Sequence, residues 1–197
     1  MGCDIHTRIE YKYNKEESWT CGDYFKKNRY FPEEGRELEV VDIYSDRNYE
    51  LFATLADVRN YSKNKTIAKP RGIPKDACKE TKQGFLDWGG DAHTPSWFAL
   101  KELIDYTNKN NNSIKRSGYI SKEYAVALDS EGILPESWCQ GTNAEGYVYR
   151  EWEKSFDVLD CIIKPLSERL KDLCWIWSDD KIYENSDRIR VIFWFDN

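Results

Sequence analysis

DRNYELFATLADVRN, Asp46 to Asn60, is the stretch whose reading sets the rest of the chain. Leu51, Phe52, Leu55 and Val58 recur at helical spacing, which predicts a buried amphipathic helix. Asp46 or Asn48 can cap its start, because a short side-chain oxygen satisfies an amide that the first turn leaves unpaired. Polar residues bracket the segment: Arg47 and Asn48 at one end, Arg59 and Asn60 at the other, with Pro70-Arg71-Gly72 soon after. A guanidinium grips phosphate as a fork and a carboxamide reads a base edge, so this bracket suits an anionic, base-bearing ligand. The same residues also suit plain capping and surface roles, where most arginines are found.

Outward from that helix, residues 3–13 alternate. Cys3, Ile5, Thr7, Ile9, Tyr11 and Tyr13 share one face, and Asp4, His6, Arg8, Glu10 and Lys12 the other, which predicts a strand with one polar side. Ile189 to Phe195 is an apolar run suited to a central strand, and Tyr147 to Trp152 reads as another. Asp91-Ala92-His93-Thr94-Pro95-Ser96-Trp97 is expected to open a second helix, with Thr94 as cap, Pro95 as its first residue, and Trp97, Leu100, Leu103 and Ile104 as its apolar stripe. Residues 119–129 lean to helix because Ser121 offers a cap. Phe156, Leu159, Ile162, Ile163, Leu166, Leu170 and Leu173 trace a long helix, kinked or interrupted near Pro165. Residues 14–39, with Pro32-Glu33-Glu34-Gly35, and 107–118, with asparagines at 108 and 110–112, read as loop or lid excursions. The expected architecture is α+β over 1–197: one compact domain, a small mixed or antiparallel sheet holding both termini, and helices packed on it.

Composition narrows the function. A net charge of −6 argues against coating a nucleic-acid polymer, which needs a basic surface to displace counterions. With 8 Trp, 13 Tyr and 8 Phe, much of the burial must be aromatic, and such rings can also stack on bases, though most of them are expected in the core. No stretch of about 18 apolar residues predicts a membrane span. The six cysteines show no C-x-x-C pair or zinc-ribbon spacing and read as reduced thiols of a cytoplasmic protein.

The two histidines each follow an aspartate by two positions, Asp4-Ile5-His6 and Asp91-Ala92-His93. Converging, these four residues could perform acid–base work on a phosphodiester or hold a divalent ion; apart, they are ordinary surface and core groups. No cofactor and no metal site are expected. His93, Thr94 and Ser96 would place hydroxyls and free amides at a helix start, where an anion is favoured, although hydroxyls there can serve the helix alone. No P-loop, G-x-G-x-x-G, nucleophile elbow or H-E-x-x-H is present.

The opening MGCDIH, the RNYELFATLADVRN tract, PRGIP, the Asp91–Trp97 segment followed by Glu102-Leu103, and the terminal VIFWFDN together resemble a recurring family of small proteins encoded by bacteriophages and their prophage relatives. The resemblance runs from end to end and implies a protein working in the host-cell cytoplasm. Phages carry small proteins that disarm nucleotide-signalled immunity, and arginines, aromatics and helix-start hydroxyls suit such a ligand. The leading expectation is binding and sequestration of a small signalling nucleotide, a cyclic dinucleotide or cyclic ADP-ribose type, by a homo-oligomer. Arg47, Asn48, Arg59, Asn60, Arg71, His93, Thr94, Ser96 and Trp97 would contact it. The alternatives are a phosphodiesterase working through His6 and His93, and a protein–protein inhibitor or accessory without a ligand.

Overall fold

The computed structural model describes residues 2–30, 37–110, 113–142, 144–155, 157–174 and 179–196. In chain order these form β1 (Asp4–Tyr11), β2 (Thr20–Cys21), β3 (Tyr24–Lys27), β4 (Leu38–Val41), α1 (Tyr49–Ala56), α2 (Lys79–Leu86) and β5 (His93–Ala99). The chain continues through α3 (Leu100–Lys109), β6 (Ser113–Ser121), α4 (Lys122–Glu131), β7 (Tyr147–Ser155), α5 (Asp160–Cys174), α6 (Asp180–Asn185) and β8 (Ile189–Asp196). The class is α+β with antiparallel sheets, and the strands nearest the two termini lie side by side, as the sequence predicts. The residues group into two compact units: Met1–Asn48, Ala68–Lys109 and Leu159–Asn197 in the first, Tyr49–Ile67 and Asn110–Val158 in the second.

The first unit is built on a four-stranded sheet in the order β2-β1-β8-β5. β8 is buried from Ile189 to Phe195 because it has strands on both edges and cover on both faces. Partners in an antiparallel pair share a face. Ile5, Thr7, Ile9 and Tyr11 therefore lie with Phe195, Phe193, Val191 and Ile189 on one side. There α5 packs, burying Leu159, Ile162, Leu166 and Leu170, with Leu173 close to Gly22 beside Ile9 and Tyr11. On the other side lie Asp4, His6, Arg8 and Glu10, opposite Asp196, Trp194, Ile192 and Arg190. That polar face is covered by α2 and its flanks: Phe85 meets Trp194 edge-on at 5.5 Å and Trp88 lies tilted against His6 at 3.9 Å.

A buried ion pair crosses the sheet on this polar face. Arg190 Nε and Nη2 donate to Glu10 Oε2 at 2.9 and 2.6 Å, with both residues within 2% of full burial. Glu10 Oε1 accepts the Cys78 amide at 2.8 Å, Arg190 Nη1 reaches Asp76 at 3.1 Å, and the Trp19 ring lies 3.9 Å from the guanidinium. Trp19 Nε1 in turn donates to Asp76 at 3.0 Å.

In the second unit β6 and β7 pair antiparallel, and one face of that ribbon carries a small core of Ile120, Ala125 and Trp152, with Tyr124, Leu128, Trp138 and Val148 against it. Ser121 caps α4 by accepting the Tyr124 amide at 3.3 Å, so the helix expected over 119–129 starts at Lys122, and 119–121 end the strand. A side chain at Gly118 would meet the Cys139 carbonyl at 2.8 Å, so glycine is what lets Cys139 bridge to Tyr119.

Several expected elements differ. The helix over Asp46–Asn60 is only α1, Tyr49–Ala56, because Asp57 and Arg59 take left-handed backbone (φ 62° and 52°) that ends it before Val58. Residues 14–39 are not one loop: they hold β2, β3 and the start of β4, while Pro32 to Gly35 lie outside the described residues. Residues 107–118 hold the end of α3 and most of β6, with Asn111 and Asn112 outside the description. α5 runs through Pro165 without the interruption that is one of the two expectations there, and Phe156 is likewise outside.

Removing one partner of the buried pair strands the other's charge, at a cost of about 3–5 kcal/mol. Arg190→Met should therefore lower the urea midpoint strongly. The double variant Arg190→Met/Glu10→Leu should recover most of that loss, as read by chemical denaturation.

Candidate functional site

The two Asp-x-His pairs do not converge. His6 pairs across β1/β8 with Trp194, and His93 pairs across β5/β8 with Phe195, so the two imidazoles stand on opposite faces of the sheet. Their strands are separated by β8, about 10 Å apart at normal sheet spacing. His6 lies 3.4 Å from Asp196 and against Trp88; His93 stacks on Phe195 and its Nδ1 meets Thr94 Oγ1 at 2.9 Å. Asp4 is taken by Arg47, and Asp91 is exposed at the end of a 3-10 turn. Among the described residues no group of three or more His, Cys, Asp or Glu side chains is placed to hold a metal.

The expected helix start at His93–Ser96 is a strand. Thr94 (φ 51°) forms a bulge between His93 and Ser96, which returns Ser96 to the apolar face, where its hydroxyl accepts the Arg71 amide at 3.2 Å. β5 is an edge strand, which tolerates the missing N–H of Pro95. The following helix begins only at Leu100, where Glu102 accepts the Ala99 amide at 3.0 Å, one half of a capping box. No helix amides are therefore presented by His93, Thr94 and Ser96.

The arginines chosen from the sequence have carboxylates or ring partners of their own. Arg47 clamps Asp4 through two bonds of 2.5 and 2.8 Å and holds its carboxyl below the usual carboxylate range. Arg71 clamps Glu102 at 3.0 and 2.7 Å and lies over Trp97 and Phe98. Trp97 stands between Arg71 and Arg190, 5.0 and 5.3 Å from their guanidinium carbons. The Asn48 amide donates to Asp46. These residues all belong to the first unit, whereas Arg59 and Asn60 belong to the second.

Asn60 leads to a different site. Its carboxamide donates to Asp57 Oδ1 and the Asn64 carbonyl at 2.6 and 2.8 Å and accepts the Asn64 amide at 2.7 Å. Asn64 then uses its own carboxamide like a strand segment, exchanging two 2.9 Å bonds with the backbone of Lys115 on β6. The loop Asp57–Asn64 is thus pinned to the edge of β6, with Asp57, Arg59 and Lys63 all in left-handed backbone. Between loop and ribbon lies a cleft of about 370 Å³, lined by Tyr61, Ser62, Lys63, Lys115, Arg116, Ser117, Tyr149, Glu151, Trp152 and Glu153. Ser62 and Ser117 hydroxyls meet at 3.2 Å on its wall. Arg116 is held 2.7 Å from Glu50 and over the Trp138 ring, while Lys63 and Lys115 are exposed and form no ion pair with any described residue. Tyr61 and Tyr149 are half exposed.

A second cleft, about 720 Å³, opens in the first unit beside Arg8, Asp23, Phe25, Leu38, Lys79, Glu80, Gln83, Asp87 and Trp88. Its arginine is already bracketed: Arg8 lies 3.8 Å from Asp23 and 3.6 Å from Asp42, and further carboxylates of Glu39, Glu80 and Asp87 line the wall. An anion is poorly served there. Burial pushes the Asp23 carboxyl up to about 6, against the Ile9 amide and Arg8, which act to lower it.

No family model, no curated protein and no solved structure matches this chain.

The loop's role was hidden in the sequence because nothing in Arg59-Asn60-Tyr61-Ser62-Lys63-Asn64 announces that two asparagines act as backbone mimics. One signal was present: Lys115, Ser117 and Tyr119 alternate with Ile114, Gly118 and Ile120, a period of two broken only by Arg116.

A carboxyl whose folded pKa is raised destabilises the fold as pH climbs from its ordinary value, 3.8, to about 6, since the unfolded chain ionises first. Wild type should lose ~3 kcal/mol from this group across that window relative to Asp23→Asn. Denaturant midpoints at pH 4 and pH 7 for both proteins check the difference.

Proposed function

We propose that the protein binds a small phosphorylated, base-bearing ligand in the cleft of its second unit. One observation carries this reading: two lysines without ion-pair partners among the described residues, two hydroxyls and two half-exposed tyrosines line one hollow. Lys63 and Lys115 supply charge for a phosphate, Ser62 and Ser117 supply donors, and Tyr61 and Tyr149 offer ring faces for a base. Glu151 and Glu153 can accept from ribose hydroxyls or exocyclic amines. The volume falls at the small end of the range for ligand sites, roughly 300–1,000 Å³, and so favours one nucleoside phosphate unit. Left-handed backbone at a non-glycine residue costs on the order of 1 kcal/mol, and three such residues sit in the loop that forms the wall. Strain kept in place by specific side-chain bonds supports a positioned, functional loop.

Binding without turnover is the favoured form of the proposal. The cleft's two hydroxyls bond to each other, and neither histidine of the chain belongs to this unit. Together with the resemblance to phage-encoded proteins, this supports a phage protein that withholds a signalling nucleotide from its host. A cyclic dinucleotide would leave its second half outside the cleft, where another copy of the chain could enclose it.

A ligand that binds only the folded state must raise its melting temperature. Adding mononucleotides, cyclic dinucleotides and ADP-ribose derivatives singly should give a thermal shift with at least one. Lys63→Ala and Lys115→Ala should each weaken that ligand about tenfold, the worth of one charge-assisted hydrogen bond. Arg47→Ala and Arg71→Ala should leave the affinity unchanged. Heat release of intact nucleotide, read by mass, supports storage, and altered nucleotide refutes it.

A further inference from the structure

Cys21 and Cys78 are more than fifty residues apart in sequence, yet the sheet brings them together. Cys21 on β2 lies directly across from Glu10, and partners in that register share a face. On the same face the Glu10 carboxylate accepts the Cys78 amide at 2.8 Å, which fixes Cys78 beside it. The two thiols act on each other, and both residues are free cysteines of intermediate exposure. Cys21 Sγ also lies 3.7 Å from Asp23 Oδ2, and Cys78 Sγ lies 3.3 Å from Thr81 Oγ1. Cys139 is differently placed, with its thiol directed to the Tyr119 carbonyl at 3.8 Å.

We propose that Cys21 and Cys78 form a peroxide-sensitive thiol pair that closes to an intramolecular disulfide. The pair divides its roles. The neighbouring Cys78 thiol lowers the Cys21 thiol below its ordinary value, against burial and the Asp23 and Glu80 carboxylates, and Cys21 in turn raises Cys78. Cys21 is therefore the more acidic of the two thiols and is the one that attacks once ionised, because the thiolate is the nucleophile. Its sulfur forms a bond to one peroxide oxygen, the O–O bond breaks, and the departing hydroxide takes a proton to become water. Cys21 is now a sulfenic acid. The Cys78 sulfur attacks the Cys21 sulfur, the S–S bond forms, the S–O bond breaks, and the hydroxide leaves with the Cys78 proton as a second water. Two thiols and one hydrogen peroxide thus give one disulfide and two waters, and a dithiol reductant reverses the step.

The bridge would tie the edge strand β2 to the segment that precedes α2, next to Asp76 and the buried Arg190. Because the loop it closes is long, the unfolded chain loses much of its freedom, and the melting temperature should rise by about 10 °C.

The test treats the full-length protein with hydrogen peroxide, alkylates the remaining thiols and maps peptides by mass. The expected product is a cross-linked peptide pair containing Cys21 and Cys78, lighter by two hydrogens and separated again by dithiothreitol. In Cys78→Ser, a sulfenic acid should persist on Cys21 and be captured by dimedone; in Cys21→Ser, Cys78 should stay reduced. Absence of the Cys21–Cys78 cross-link in wild type, or its replacement by a bridge from Cys21 to another cysteine, overturns the proposal. Should either serine variant fail to fold, the wild-type peptide map alone decides.

Discussion

The buried Glu10–Arg190 pair ties the register of the first unit's sheet to the position of α2. Burying two charges is costly unless geometry and further hydrogen bonds compensate, and here every strong site on the carboxylate is used. Arg190 occupies one oxygen and the Cys78 amide the other, while Asp76 and the Trp19 face take the rest of the guanidinium. A slip of one residue between β1 and β8 would turn Glu10 to the face packed by α5, away from Arg190. The pair thus selects the register that all other partners in the sheet inherit. It also anchors Asp76 to Cys78, and so sets where α2 begins and which thiol stands beside β2.

That pair explains why the fold was only partly legible. Alternation in residues 3–13 and the apolar run 189–195 reveal two strands, because a face buried under a helix and a strand flanked on both edges leave direct patterns. Glu10 looked like one more exposed polar residue in that alternation, since a lone glutamate carries no mark of a partner 180 positions away. β5 defeated the reading for a local reason. Thr94-Pro95 is a good helix start by composition, but a bulge at Thr94 and an edge position for Pro95 satisfy the same residues in a strand. The capping chemistry expected at Thr94 appears instead at Glu102, several residues later.

The site was less legible than the fold, because sequence shows which charges exist and not which are already paired. Arg47, Arg71, Arg116, Arg150 and Arg190 each clamp a carboxylate: Asp4, Glu102, Glu50, Asp129 and Glu10. The planar fork that makes arginine good at holding phosphate makes it equally good at holding a carboxylate within its own chain. In a chain with 35 acidic against 29 basic residues, such pairing is the default outcome. Arginine-rich segments of an acidic protein are then poor guides to anion sites.

Lysine follows a different rule. Its ammonium is a strongly hydrated point charge on a flexible stem, and gains little from a single exposed carboxylate. Lys63 and Lys115 sit exposed at the mouth of the second unit's cleft, held there by backbone that two asparagines fix in place. Their charge stays available because the cross-strand neighbour of Lys115 is Glu153, on the exposed face of the ribbon where water weakens the attraction. A phosphate brings more charge and three acceptors into a hollow already walled by rings and hydroxyls, and it can outcompete that solvent-screened partner. An anion site in this acidic chain would therefore depend on rigid placement of weakly engaged cations, and not on the number of cations present.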